Sequence, residues 1–304
     1  MYAYMHAYTH TRTQMTYILE NISKILISFH YSLAKKLISP NHTSKECISE
    51  TVQFLIRTCK QRPKSHNHIH MMKVCKNAVW ILENIAISYF LGITVVFLIT
   101  YINFSHHVIL LIYLCTIYIY VQWLRDMNLI IQVVALLHDV ADHKYVEMDE
   151  TLLPKLDLFL DKITNTRKYK KIFMYSPLGH LFDTIQLKNI MTRISFSRQK
   201  KYGTYDWVLV LGYIGLFVRN VVSDADKFEA IGKDGIDRCI EYTREVYNRT
   251  NTNLSREQLF DEVHKHYDEK LKILASPIYI KTLPGLIYAH YLDLEMFEYI
   301  QRLQ

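Results

Sequence analysis

The chain has 304 residues, enough for one large domain or two small ones with a full core. Half of it is apolar and 21% is charged, a globular composition, and with only 8 Gly and 6 Pro it argues against a many-stranded β fold. The formal charge of +7 is spread along the chain rather than gathered into a basic helix or basic-aromatic stripe. That excludes the usual signature of a nucleic-acid binder and suits an anionic substrate.

Residues 1–43 are rich in Tyr, His and Thr. Their apolar part, Ile18 to Leu37, is interrupted by Glu20, Lys24, His30, Lys35 and Lys36. It lacks the basic start and clean apolar core of a signal peptide and reads as an N-terminal extension. From Ser44 the pattern is helical, with Cys47, Val52, Phe54, Leu55 and Cys59 on one stripe and Thr43 or Ser44 as the N-cap. Pro63 marks a break, and a second helix runs from about His68 to Ile85, with His70 near its start.

No Asp, Glu, Lys or Arg occurs between Asn84 and Leu124. Two apolar runs, Ile87 to Tyr101 and Val108 to Leu124, flank Asn103-Phe104-Ser105-His106-His107. Each is near the lower length limit for a membrane-spanning helix, and together they form a candidate hairpin. Their Ile, Val, Tyr and Thr content equally suits buried strands. Retained non-coding sequence is a third reading.

After Asp126 a helical pattern resumes through His138. A helix from about Asp149 to Ile163 follows, then a basic loop with Arg167, Lys168, Lys170 and Lys171, and a less regular region to Phe182. Helices are expected over 184–194 and 205–222, and the Asp224 segment opens or continues a helix to Tyr247. The last two helices cover 255–275 and 284–303, the first opened by a capping box in which Gln258 stands three residues after Ser255. The fold class is all-α. Five scattered cysteines without a C-x-x-C pair indicate a reduced, cytoplasmic setting rather than a disulfide or zinc framework.

The stretch Val133-Val134-Ala135-Leu136-Leu137-His138-Asp139 is an apolar run ending in an imidazole and a carboxylate, with Asp142 and Lys144 just beyond. A divalent cation that polarises a phosphate and activates water needs a mixed nitrogen and oxygen ligand set with open positions. His70, His138, Asp139 and one aspartate of Asp224-Ala225-Asp226 supply it. Helix neighbours point about 100° apart, so His138 and Asp139 share a metal only at the flank or frayed end of their helix. Asp224 and Asp226, two apart, do not face one metal together. Asp142 is one turn past Asp139 and is placed to take or orient a proton, or is a solvated acid. Lys144 is either a phosphate contact or a surface lysine.

Three segments carry a family resemblance: Ser65-His66-Asn67-His68-Ile69-His70-Met71-Met72-Lys73-Val74, then Ala135-Leu136-Leu137-His138-Asp139-Val140-Ala141-Asp142-His143-Lys144, then Val222-Ser223-Asp224-Ala225-Asp226-Lys227-Phe228-Glu229-Ala230-Ile231-Gly232. In this order the chain resembles the HD-domain metal-dependent phosphohydrolases, closest to their small all-helical nucleotide pyrophosphohydrolases, over roughly residues 44–303. Weaker echoes are Ile194-Ser195-Phe196-Ser197 and His266-Tyr267-Asp268-Glu269-Lys270-Leu271. The resemblance implies an HD helical bundle interrupted by an apolar insertion at about 84–124. It implies metal ligation by His70, His138, Asp139 and Asp226, with Asp224 the alternative to Asp226. The metal it favours is Mn²⁺ over Mg²⁺, Fe²⁺ or another transition metal. The expected reaction splits a nucleoside triphosphate into monophosphate and pyrophosphate, with Asp142 and Lys144 as candidate catalytic residues. Nucleotide phosphomonoesterase or phosphodiesterase activity would use the same ligands. Glu229 stands where that branch more often has Asp. The rival expectation is a membrane-attached nucleotide sensor, with membrane contact through residues 87–124.

Overall fold

A computed structural model describes residues 28, 31–32, 34–62, 66–103, 106–174, 182–204, 206–249 and 254–303. Most of the N-terminal extension lies outside these residues. Among the described residues every regular element is helical, so the fold is all-α. The helices are α1 His42–Cys59, α2 His68–Asn103, α3 His106–Leu137, α4 His143–Val146, α5 Leu152–Asn165 and α6 Arg167–Met174. They continue with α7 Thr184–Met191, α8 Phe196–Tyr202, α9 Trp207–Phe228, α10 Gly232–Arg249 and α11 Arg256–His266. A π-helical turn, Tyr267–Leu271, leads into α12 Lys272–Leu274, and α13 Leu283–Gln301 follows.

The chain divides into two compact units, one of residues 1–39 and 83–124, the other of 40–82 and 125–304. In the first unit the uncharged run is a helical hairpin, not a pair of strands. The later part of α2 and the earlier part of α3 pack through Tyr89 on Tyr120 and Phe97 on Tyr113, with ring centroids 3.8 and 4.2 Å apart. Both helices are long, 36 and 32 residues, because nothing in this stretch supplies a proline or glycine pair to stop them. Much of the surface stays apolar, with Val95, Val96, Leu111, Ile112, Leu114 and Ile119 all exposed.

The second unit is a bundle in which α9 packs on α7 and α13, α10 on α11 and α13, and α5 on α6 and α7. Helix α1 begins earlier than its apolar stripe suggests. Asn41, rather than Thr43 or Ser44, is the cap, its side chain accepting the Ser44 N–H at 2.8 Å. The segment expected as a basic loop, 167–171, is helical. Tyr169 and Phe173, four apart, are both buried, while Arg167 and Lys168 are exposed on the other side of the helix. Helix α9 runs on through Asp224 and Asp226 and stops at Phe228; Gly232, at φ 76°, makes the left-handed turn into α10. The Ser255–Gln258 capping box forms in both directions.

Candidate metal centre

Each ligand candidate sits where an element begins, ends or faces inward. Asn67 caps α2 by accepting the N–H groups of Ile69 and His70 at 2.9 and 3.2 Å, which fixes His70 in the first turn. Helix α3 ends at Leu137, and His138 and Asp139 lie in the turn beyond it. Released from the helical period, both side chains reach the same point. Arg62 holds this turn by donating to the carbonyls of Asp139 and Val140 at 2.8 and 2.7 Å, with its guanidinium 4.0 Å from the centre of the Tyr145 ring. Asp226 arrives from the inner face of α9.

The side chains of His70, His138 and Asp139 offer ligand atoms within 4.8 Å of one another and can hold a metal ion. His70 Nε2 is 3.3 Å from Asp226 Oδ1 and 4.0 Å from Asp139 Oδ2. His138 Nε2 is 3.6 Å from Asp139 Oδ1 and 3.6 Å from Asp226 Oδ1. Donors sharing one metal at about 2.0–2.2 Å stand no more than ~4.4 Å apart, and these separations meet that limit.

The donor chemistry fits a cation. His138 Nδ1 donates to the Ala135 carbonyl at 2.8 Å, which leaves the lone pair on Nε2. That nitrogen is buried without a hydrogen-bond partner. The carboxylates of Asp139 and Asp226 face it at 3.6 Å, so this nitrogen is set to share a proton or a cation with them. The charges agree. Burial disfavours a charged His138, yet the Asp139 carboxylate and the contact with Asp226 outweigh it and push the imidazole up to about 9. Burial likewise opposes ionised Asp226, but His138 and His70 hold it well below the usual carboxylate range. Asp139 is lowered too, burial being overcome by His138 and by the hydrogen bond from His66. The site draws positive charge, and without a metal a proton is what it draws.

Asp224 has a different task. It is fully buried, and its carboxylate accepts the N–H groups of Lys281 at 3.0 Å and Thr282 at 2.7 Å, just ahead of α13. Burial raises it above the ordinary carboxylate range, against the pull of Lys227 and these N–H groups. Asp142 lines the cavity at the metal end. The Lys144 side chain lies outside the described residues. Glu229 accepts from Asn77 at 3.0 Å and faces Lys73 at 3.7 Å, tying the end of α9 to α2.

A cavity of about 450 Å³ opens from His138, Asp139 and Asp142, and all its lining residues belong to the second unit. Its far side is formed by α7, α8 and their connection, with Lys188, Arg198 and Lys201 among the lining side chains. These three, like Arg62, have no motif to announce them; only the Ile194–Ser197 echo lies nearby. His66, one of several histidines crowding the first motif, is an Asp139 partner at 2.8 Å.

No family model matches the chain, and no curated protein matches it. Solved structures similar to it include two of Bacillus subtilis YpgQ. The selenomethionine form of Bacillus subtilis YpgQ aligns over 86% of this chain and 95% of that one, at 18% identity and a TM-score of 0.46. Bacillus subtilis YpgQ in complex with ADP aligns over 86% and 93%, at 16% identity and a TM-score of 0.40.

Proposed function

We propose that the chain is a metal-dependent phosphohydrolase of the HD-domain kind acting on a nucleotide, splitting a nucleoside triphosphate into monophosphate and pyrophosphate. One observation carries this reading. Two imidazoles and two carboxylates from three distant segments gather at the end of a 450 Å³ cavity, with one buried nitrogen, His138 Nε2, left bare. A bound divalent cation, with Mn²⁺ first among the candidates, supplies Lewis acidity toward phosphoryl oxygen and acidifies water.

The chain's own residues do the rest. His70, His138, Asp139 and Asp226 hold the cation. His66 and Arg62 fix Asp139 by its side chain and its carbonyl respectively. Asp142, which lines the cavity beside Asp139, accepts the proton of the attacking water in this reading. As water adds to the α-phosphorus, the bond to the bridging oxygen breaks and pyrophosphate departs. The apolar lining from Leu137, Leu153, Leu156 and Met191 limits bulk water. The uncharged hairpin lies outside this chemistry and serves location, by membrane contact through residues 87–124.

The test is turnover of a nucleotide panel by the purified full chain with Mn²⁺. Asp139→Ala is expected to lower activity on the order of 10³-fold, the equivalent of ~4 kcal/mol of transition-state stabilisation. Equal turnover by wild type and Asp139→Ala would exclude this metal site.

A further inference from the structure

We propose that the outer face of α13 is a self-association surface, on which a second copy of this chain lays its own α13 antiparallel. The proposal is independent of the nucleotide reading, since no residue of this face lines the cavity at the metal end.

Helix α13 is apolar on two sides, and the bundle covers one of them. Gly285, Ala289, Met296 and Ile300 are buried on the side that packs on α9 and α10. Leu283, Ile287, Tyr291, Leu294 and Phe297 point the other way and are between 48% and 67% exposed. A helix that is apolar all round is ordinarily covered all round. With His290, also exposed, four of these residues recur at alternating steps of four and three: Leu283, Ile287, His290, Leu294, Phe297. That is the seam spacing by which one helix packs along another.

The seam and its charges select the partner. The spacing is nearly the same read in either direction from His290, with Leu283 and Phe297 each seven residues away and Ile287 and Leu294 three and four. A two-fold interface needs such a patch, because one surface serves both subunits. Antiparallel pairing seats Leu283 on Phe297 of the second copy and Ile287 on its Leu294. The two His290 side chains then meet beside the axis, where a single polar residue fixes the register. The same pairing brings Lys281, just ahead of α13, toward Glu298 in the last turn of the second copy's helix. A lipid surface fits less well. Residues 283–301 contain no Lys or Arg but include Asp293, Glu295 and Glu298, the opposite of the basic face of an interfacial helix. The five apolar side chains expose on the order of 500 Å². Two copies therefore cover about 1,000 Å² from the stripe alone, the area at which a specific interface begins.

The experiment is sedimentation velocity of the full-chain protein over a micromolar concentration series, in a mild detergent that keeps the uncharged hairpin from associating. Wild type is expected to be a dimer. Ile287→Glu combined with Leu294→Glu is expected to raise the dissociation constant at least ~100-fold, as two charges enter the centre of an apolar interface. Both side chains are exposed, so helix content should be unchanged. A second measurement does not depend on that variant. In a Cys115→Ser background, which removes an exposed thiol, His290→Cys is expected to cross-link copy to copy on mild oxidation. Leu283→Cys is expected to link to Phe297→Cys and not to itself. A monomeric wild type, a dimeric double variant, an unlinked His290→Cys or a self-linked Leu283→Cys each overturns the antiparallel pairing. So does a monomer whose binding to anionic-lipid vesicles is lost in the double variant, which would make this face a membrane contact.

Discussion

His66 Nδ1 lies 2.8 Å from Oδ2 of Asp139, while the other oxygen of that carboxylate, Oδ1, is 3.6 Å from His138 Nε2. Under the metal ligation proposed above, the Asp139 carboxylate is thus aimed by His66, a residue outside the proposed ligand set. Such partners typically contribute 10–100-fold to metal affinity. His66→Ala is expected to weaken Mn²⁺ binding by roughly that factor, with turnover largely restored at saturating metal. Unchanged Mn²⁺ affinity in the variant would reduce His66 to a bystander.

Asp224 and Asp226 should separate cleanly. Asp226→Asn is expected to abolish tight Mn²⁺ binding while the helical fold is retained, with some loss of metal-free stability because His138 and His70 lose a carboxylate partner. Asp224→Ala leaves the Lys281 and Thr282 N–H groups bare, a loss of about 2–4 kcal/mol in urea unfolding. Gly285 tests the same clamp, because a Cβ there would meet Thr282 Oγ1 at 2.5 Å and Asp224 Oδ2 at 2.8 Å. Gly285→Ala should therefore destabilise by about 1–3 kcal/mol and leave metal affinity intact. The reverse pattern, metal lost in Asp224→Ala and kept in Asp226→Asn, would exchange their roles.

How much of this was legible in advance depended on range. The Ser255 capping box is a contact across three residues, and it formed as read. The pattern reads as helical through His138 and leaves the helix flank and its frayed end both open to a shared metal; α3 ends one residue earlier, at Leu137. Thr43 and Ser44 stand closer to the first apolar position than Asn41, which is why the apolar stripe alone points away from the true cap. Segment 167–171 looked like a loop because four basic residues concealed the Tyr169–Phe173 spacing. Lys188, Arg198 and Lys201 could not be grouped at all. They come together through residues 193–199, which Arg219 and Ser223 tie to α9 by hydrogen bonds to Arg193, Gln199 and Ile194.

Without metal, His138 sits at about 9 in the folded protein, above its ordinary 6.5. A raised pKa means the folded state binds the proton more tightly, so the contribution is full below 6.5 and fades as pH rises through 9. Asp139 and Asp226 are lowered, so their contribution is present at neutral pH and lost in acid. Metal-free protein is expected to lose up to ~3 kcal/mol between those two pH values. Mn²⁺, which displaces the proton, should flatten that slope and bind more tightly as pH rises. Denaturation at both ends of the window, with and without Mn²⁺, checks this; a metal-free stability that climbs with pH contradicts it.

Arg219→Met removes the hydrogen bonds to Arg193 and Gln199 and keeps the volume. The expected signature is a KM for triphosphate raised roughly tenfold, the loss of one positioned contact, with kcat and Mn²⁺ affinity within twofold of wild type. If the variant melts earlier but KM stays put, Arg219 serves stability alone.

Joining Asn84 to Arg125 through a short polar linker removes the hairpin and its exposed apolar surface. The shortened protein should be more soluble, retain Mn²⁺ affinity and turnover, and lose any binding to lipid vesicles shown by the full chain. Loss of turnover in a folded deletion would place the hairpin in the chemistry after all.

The hairpin also interrupts a unit whose two stretches, 40–82 and 125–304, must find each other before His70 can meet His138. For a flexible connection, loop-closure entropy rises by only ≈ 0.6 kcal/mol for each doubling of length. A connection that folds into helices of its own adds less still, since its ends are not left to search. The position between residues 82 and 125 therefore behaves as a thermodynamic port, where a foreign helical hairpin or a reporter domain with adjacent termini could be carried at little expense to the metal-binding bundle.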